Sequence, residues 1–220
     1  MDSTPPSSDA FWEKEVRRFV PDLGQALEKA MEYVCCPICQ VLSGIPFDYF
    51  ALLPKRWREE PDLREHVIEA RGFCRPHTWR LAGMQSLVAI ARVVVDIMDN
   101  LADPTKPPQA PCPVCRLQRL AEKDLLGAFA AWLATEEGRA QYPRLFGLCY
   151  DHLDQMLAQG ISADLRDLLL ECQERRRLEL LTHLRGFLEK DTIDGKWTRT
   201  IDENRAPRRC LLKLAGNEEA

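Results

Sequence analysis

The sequence has no apolar run long enough to cross a bilayer. Its longest, "LVAIARVVVDIM" at 87–98, is broken by Arg92 and Asp96 and falls short of the roughly 20 residues a helical span needs. The opening "MDSTPPSSDAFWEKE" lacks the apolar core of a secretory signal, so a cytoplasmic protein with no membrane segment is expected. Positive charge is not in excess either. Thirty Lys and Arg against 34 Asp and Glu leave a net charge of −4, which disfavours a chain built to sit on nucleic acid or anionic lipid. A Gly-rich phosphate loop, an HExxH helix, a GxSxG elbow and an acidic pair at interpretable spacing are all missing. No catalytic or cofactor-binding residue is assigned on these grounds, and catalysis is not the expected role.

Strand-like alternation is also absent, while three- and four-residue apolar spacing recurs along most of the chain, so the expected class is all-α. The spacing predicts an amphipathic helix over 11–34 interrupted near Pro21 and Asp22, and another over 60–71. A single long helix is predicted from 76 to 102, on Leu81, Met84, Leu87, Val88, Ala91, Val94, Val95 and Met98. The stretch "DPTKPPQAP" at 103–111 cannot be helix interior, because proline lacks the amide donor and clashes with the preceding turn. Helical patterning resumes over 114–135 and 150–158. A long carboxy-terminal helix follows to about 190, with Ser162 as its N-cap, and a short last helix is expected over 207–215.

What the chain does have is nine cysteines, eight of its Cys and His residues falling into a repeated pattern. "CPIC" at 36–39 is followed by "GFCRPH" at 72–77; "CPVC" at 112–115 is followed by "GLCYDH" at 147–152. Thirty-four residues lie between Cys39 and Cys74, and 33 between Cys115 and Cys149. Two copies of one spacing read as an internal duplication. The implied division is a lead-in at 1–30, a first repeat at 31–102, the Pro-rich linker at 103–111, a second repeat at 112–160, and a helix with basic tail at 161–220.

Each repeat offers three thiolates and one imidazole, a closed tetrahedral Cys₃His set of the kind that holds structural zinc. A CxxC turn puts two sulfurs on one side of a knuckle, and a CxxH at a helix start puts both side chains on one face. Two Zn²⁺ per chain are therefore expected. Local pairing is expected because each repeat holds a full set: Cys36, Cys39, Cys74 and His77 at one ion, and Cys112, Cys115, Cys149 and His152 at the other. Three alternatives stand beside this. The two repeats can exchange partners, the sets can carry an iron–sulfur cluster, or the CPxC pairs can exchange thiols and disulfides. Cys35 reads as a spare, partly buried thiol, Cys172 as core, and Cys210 as part of a small packing helix. His66 and His183 have no paired ligand at useful spacing.

"CPIC", "GFCRPHTW", "CPVCRLQ" and "GLCYDHL", with "LRGFLEKDTIDGKW" and "RRCLLKLAG" further on, resemble an uncharacterised bacterial family of duplicated CPxC…GFCxxH proteins, a domain of unknown function. The likeness spans about residues 30–215 and implies the same metal ligands without an activity. The expected function is a metal-stabilised interaction or adaptor protein whose partner is another protein; the alternative is an iron–sulfur or thiol redox protein.

Overall fold

The computed structural model describes residues 8–100, 105 and 107–217, and among these every regular element is a helix. No described helix is long and apolar enough to cross a membrane. The predicted opening helix is two: α1 (Ser8–Phe19) and α2 (Leu23–Ala30). Asp22 separates them as predicted, its carboxylate capping α2 by accepting from the Gln25 amide at 2.9 Å.

Pro37 opens α3 (Pro37–Glu59), a 23-residue helix that keeps Pro46 and Pro54 in its interior. Its buried stripe explains why it survives two prolines. Ile38, Leu42, Ile45, Tyr49, Leu53 and Trp57 recur at three- and four-residue steps and are all shielded from solvent. Then come α4 (Pro61–Glu69), α5 (Arg75–Met84) and α6 (Leu87–Asp99). The single helix predicted over 76–102 is thus broken. Gln85 is extended and donates to the Phe50 carbonyl at 2.6 Å, while the Ser86 hydroxyl accepts from the Ala89 amide and starts α6 afresh. Of the apolar residues that carried the prediction, Leu81 is buried, but Leu87, Val88, Val95 and Met98 are more than half exposed.

Pro113 opens α7 (Pro113–Ala134), with Val114, Leu117, Ala121, Leu125, Phe129 and Leu133 buried along one side. The chain continues through α8 (Glu136–Gln141), a 3₁₀ turn at Tyr142–Arg144, α9 (Tyr150–Ala158) and the 27-residue α10 (Ala163–Glu189). Ser162 sits at the N-cap of α10 as predicted, but its hydroxyl makes no capping bond. The last helix, α11 (Ile201–Ala215), begins six residues before the predicted start, because Thr200 and Glu203 form a reciprocal capping box.

The described chain divides into two compact units, and they are not the consecutive repeats predicted. Unit 1 takes residues in 8–21 and 44–122; unit 2 takes those in 22–43 and 123–217. Helix α3 starts in unit 2 and ends in unit 1, and α7 makes the opposite crossing. The predicted linker at 103–111 falls partly outside the described residues, as do the ends of the lead-in and tail; Gln109 within it donates to the Glu69 carbonyl at 3.1 Å.

Unit 1 is centred on Tyr49, Phe50 and Phe73, whose rings meet edge to face with centroids 5.1–6.0 Å apart. Beside them the buried Arg56 bridges Glu15 at 2.6 Å and Glu60 at 2.7 Å, tying α1 to α3. In unit 2, Phe129 packs on Tyr142 and the α10 side chains Leu165, Leu169 and Cys172 are buried.

Candidate metal centres

The two knuckles and the two CxxH turns are built alike. Cys36 and Cys112 each precede the proline that opens a long helix, and their carbonyls accept the amides of Gln40 and Arg116 at 3.0 and 2.9 Å. Proline suits this first helical position, where an amide would have no partner. Cys74 and Cys149 are the N-cap residues of α5 and α9, both extended, with carbonyls accepting from Thr78 and Leu153. His77 and His152 follow within the first turn. The glycines two residues before these cysteines are required by the backbone: Gly72 has φ of +94° and Gly147 of +80°.

The expected pairing within each repeat is not what forms. Cys36, Cys39, Cys149 and His152 come together in unit 2, and Cys74, His77, Cys112 and Cys115 in unit 1, the ligand atoms of each group lying within 4.8 Å of one another. The repeats exchange partners, the alternative left open by the spacing. Each unit thus draws its CPxC from one repeat and its CxxH from the other, because α3 and α7 each begin in one unit and end in the other.

In the unit 2 centre the His152 Nδ1 lies 3.5, 3.3 and 3.1 Å from the sulfurs of Cys36, Cys39 and Cys149, and Cys39 and Cys149 are 3.7 Å apart. In the unit 1 centre the His77 Nδ1 lies 3.1, 3.5 and 3.4 Å from Cys74, Cys112 and Cys115, with Cys74 and Cys115 3.5 Å apart. A tetrahedral ion with bonds of about 2.3 Å to sulfur and about 2.0 Å to nitrogen has edges of about 3.7 and 3.5 Å. Both groups have the dimensions to hold one metal ion. Each also gathers two helix N-termini, α3 and α9 in one and α5 and α7 in the other, whose positive ends favour thiolate.

Proton affinities differ within each group. Burial works against ionising Cys36, but contacts from Cys149, Cys39 and His152 outweigh it and hold that thiol well below its ordinary value. Cys39 is driven the other way by Cys149 and Cys36 and by burial. In unit 1, burial raises Cys112, and burial with the neighbouring Cys112 and Cys74 pushes Cys115 up to about 12. Burial, helped by the Arg80 charge, lowers His77, keeping its imidazole in the neutral form that coordinates. Without a cation the sets hold protons; an ion entering must displace them.

Around the unit 2 centre lie two residues that motif spacing does not reveal. A side chain on Gly216, just past α11 with φ of +74°, would come within 2.7 Å of the Cys39 sulfur and 3.6 Å of that of Cys149. Lys213, 2% exposed, donates to the carbonyls of Phe146 at 3.1 Å and Leu148 at 2.7 Å, on the strand of chain entering Cys149. Burial draws its pKa down to about 8, partly offset by Cys36 and Cys149. Its only forewarning in sequence is a lysine on the otherwise apolar "CLLKLAG".

The remaining cysteines and histidines stay outside both groups. Cys35 is buried and donates to Gln40 Oε1 at 3.2 Å, burial pushing its thiol up to about 11. Cys172 is core, as expected, and Cys210 is half-buried in α11. His66 packs on Phe11 and Trp12, and His183 is half-buried on α10. Comparison with protein-family models, curated proteins and solved structures finds no match.

Proposed function

We propose that this chain is a zinc-stapled helical interaction module, with one Zn²⁺ held by Cys36, Cys39, Cys149 and His152 and another by Cys74, His77, Cys112 and Cys115. The observation that carries the reading is the 3.1–3.7 Å spacing of the ligand atoms. That spacing matches the edges of a single-ion tetrahedron. An iron–sulfur cluster hangs its ligands on different irons and spreads them farther apart, so the tight sets favour one ion each. Three thiolates with one imidazole, and no vacant position, suit zinc in a structural role.

An interaction role is supported by apolar surface that the chain itself leaves uncovered. Leu87, Val88, Val94, Val95 and Met98 along α6 are 39–83% exposed, and Ile193 and Trp197 are 87% and 90% exposed. Such surface on a charged, helical protein suits a protein partner. The test is metal analysis with a visible spectrum after anaerobic purification. Two zinc ions per chain and no colour are expected. Brown protein absorbing near 400 nm and bleaching on reduction would replace this reading with the iron–sulfur one.

A further inference from the structure

The two centres share ligands and dimensions but not cover. In unit 2, Cys36, Cys39, Cys149 and His152 are 1%, 2%, 1% and 3% exposed, with Gly216 against the sulfurs and Asn217 tied to Ser43 at 3.3 Å. In unit 1, Cys74, Cys112 and Cys115 are all only half-buried. Arg75, beside Cys74, is exposed, and Arg119 donates to the Cys115 carbonyl at 3.3 Å.

We propose that the unit 1 centre is an oxidant-responsive zinc site, releasing its ion to hydrogen peroxide while the unit 2 centre keeps its own. This rests on the zinc reading above. The reacting pair is Cys74 and Cys115, which sit on different helices with sulfurs 3.5 Å apart, about 1.5 Å from disulfide bonding distance. One thiolate of the pair attacks an oxygen of the peroxide. The O–O bond breaks, leaving a sulfenic acid on sulfur and hydroxide in solution. The second thiolate attacks that sulfur; the S–S bond forms, the S–O bond breaks, and a second hydroxide leaves. Two electrons pass from the two thiolates to the peroxide, and the two hydroxides take protons from the medium to become water. Only Cys112 and His77 then remain for the ion, too few to keep it. In unit 2 the Cys39 and Cys149 sulfurs are nearly as close, at 3.7 Å, but Gly216 at the end of α11 lies against both and stands in the way of peroxide.

The experiment uses the full, zinc-loaded wild-type chain. Its metal is counted, peroxide is added in steps, released zinc is read with a chromogenic chelator, and cysteines are mapped by alkylation and mass spectrometry. One of the two ions is expected to leave, with a Cys74–Cys115 disulfide and with Cys36, Cys39 and Cys149 still reduced. Dithiothreitol with zinc restores the second ion. Loss of both ions together, loss of neither, or oxidation of the unit 2 cysteines first overturns the proposal and leaves the zinc reading intact. A chain that does not start with two zinc ions overturns the zinc reading itself, and the proposal with it.

Discussion

The two candidate metal centres carry the same four donors and differ in their place along the chain. The unit 1 group joins His77 to Cys112 across 35 positions, whereas the unit 2 group joins Cys39 to Cys149 across 110 and spans the first in sequence. Closing the longer loop costs only about 1 kcal/mol more, since the entropy grows as the logarithm of length. The price of a wide loop is therefore small, and what separates the two centres is cover. One is sealed by the carboxy-terminal helix, and the other meets solvent. Ligand identity decides that a metal can bind, and packing decides what else can reach it.

The largest expected effect breaks the comparison at its pairing. Cys39→Ser with Cys149→Ser removes two ligands from one centre, so one zinc per chain should remain; pairing within each repeat would cost both. Stability should fall by several of the on the order of 10 kcal/mol that a structural zinc supplies, read by thermal melting beside metal analysis. Next comes Gly216→Val. At φ +74° and ψ −160° only glycine sits without strain, and the new side chain meets Cys39. A loss of about 3 kcal/mol is expected, with faster zinc loss from unit 2 and none from unit 1, and equal loss from both would argue against the local cause.

Lys213→Met keeps the bulk but leaves the Phe146 and Leu148 carbonyls without their donor, at about 1–3 kcal/mol. An unchanged melting temperature would show that water replaces the ammonium. The smallest effect is with pH. His77 is held below the ordinary value of 6.5 by burial, so its contribution to folding is present above pH 6.5 and lost as pH falls through its lowered value. The metal-free chain should therefore lose stability over that window, followed by thermal melting in chelator at stepped pH, and His77→Gln should flatten the profile; an unchanged profile in that variant would show that His77 does not carry the pH dependence.

The all-α class and the eight Cys and His residues that gather into two groups were legible in the sequence because both depend on local spacing. Their pairing was not legible from spacing, since each repeat already contains a complete set. It depends on α3 and α7 each passing from one unit into the other, which is a matter of packing and not of local spacing. The break at Gln85 and Ser86 escaped periodicity because apolar residues continue through it, while the bond from Gln85 to the Phe50 carbonyl and the Ser86 cap on the Ala89 amide both favour the interruption. Gly216 and Lys213 lie 65 or more positions from Cys149 and Leu148 along the chain, and local spacing does not mark their approach.

The nesting of the two sets along the chain also bears on how the protein is made. When the first hundred residues have left the ribosome, the nascent chain already holds CPIC and CRPH, three thiols and an imidazole, yet neither set is whole. The set of Cys74, His77, Cys112 and Cys115 can close once Cys115 emerges, and the set that spans it in sequence must wait for His152. Nested ligands turn the order of translation into an order of assembly.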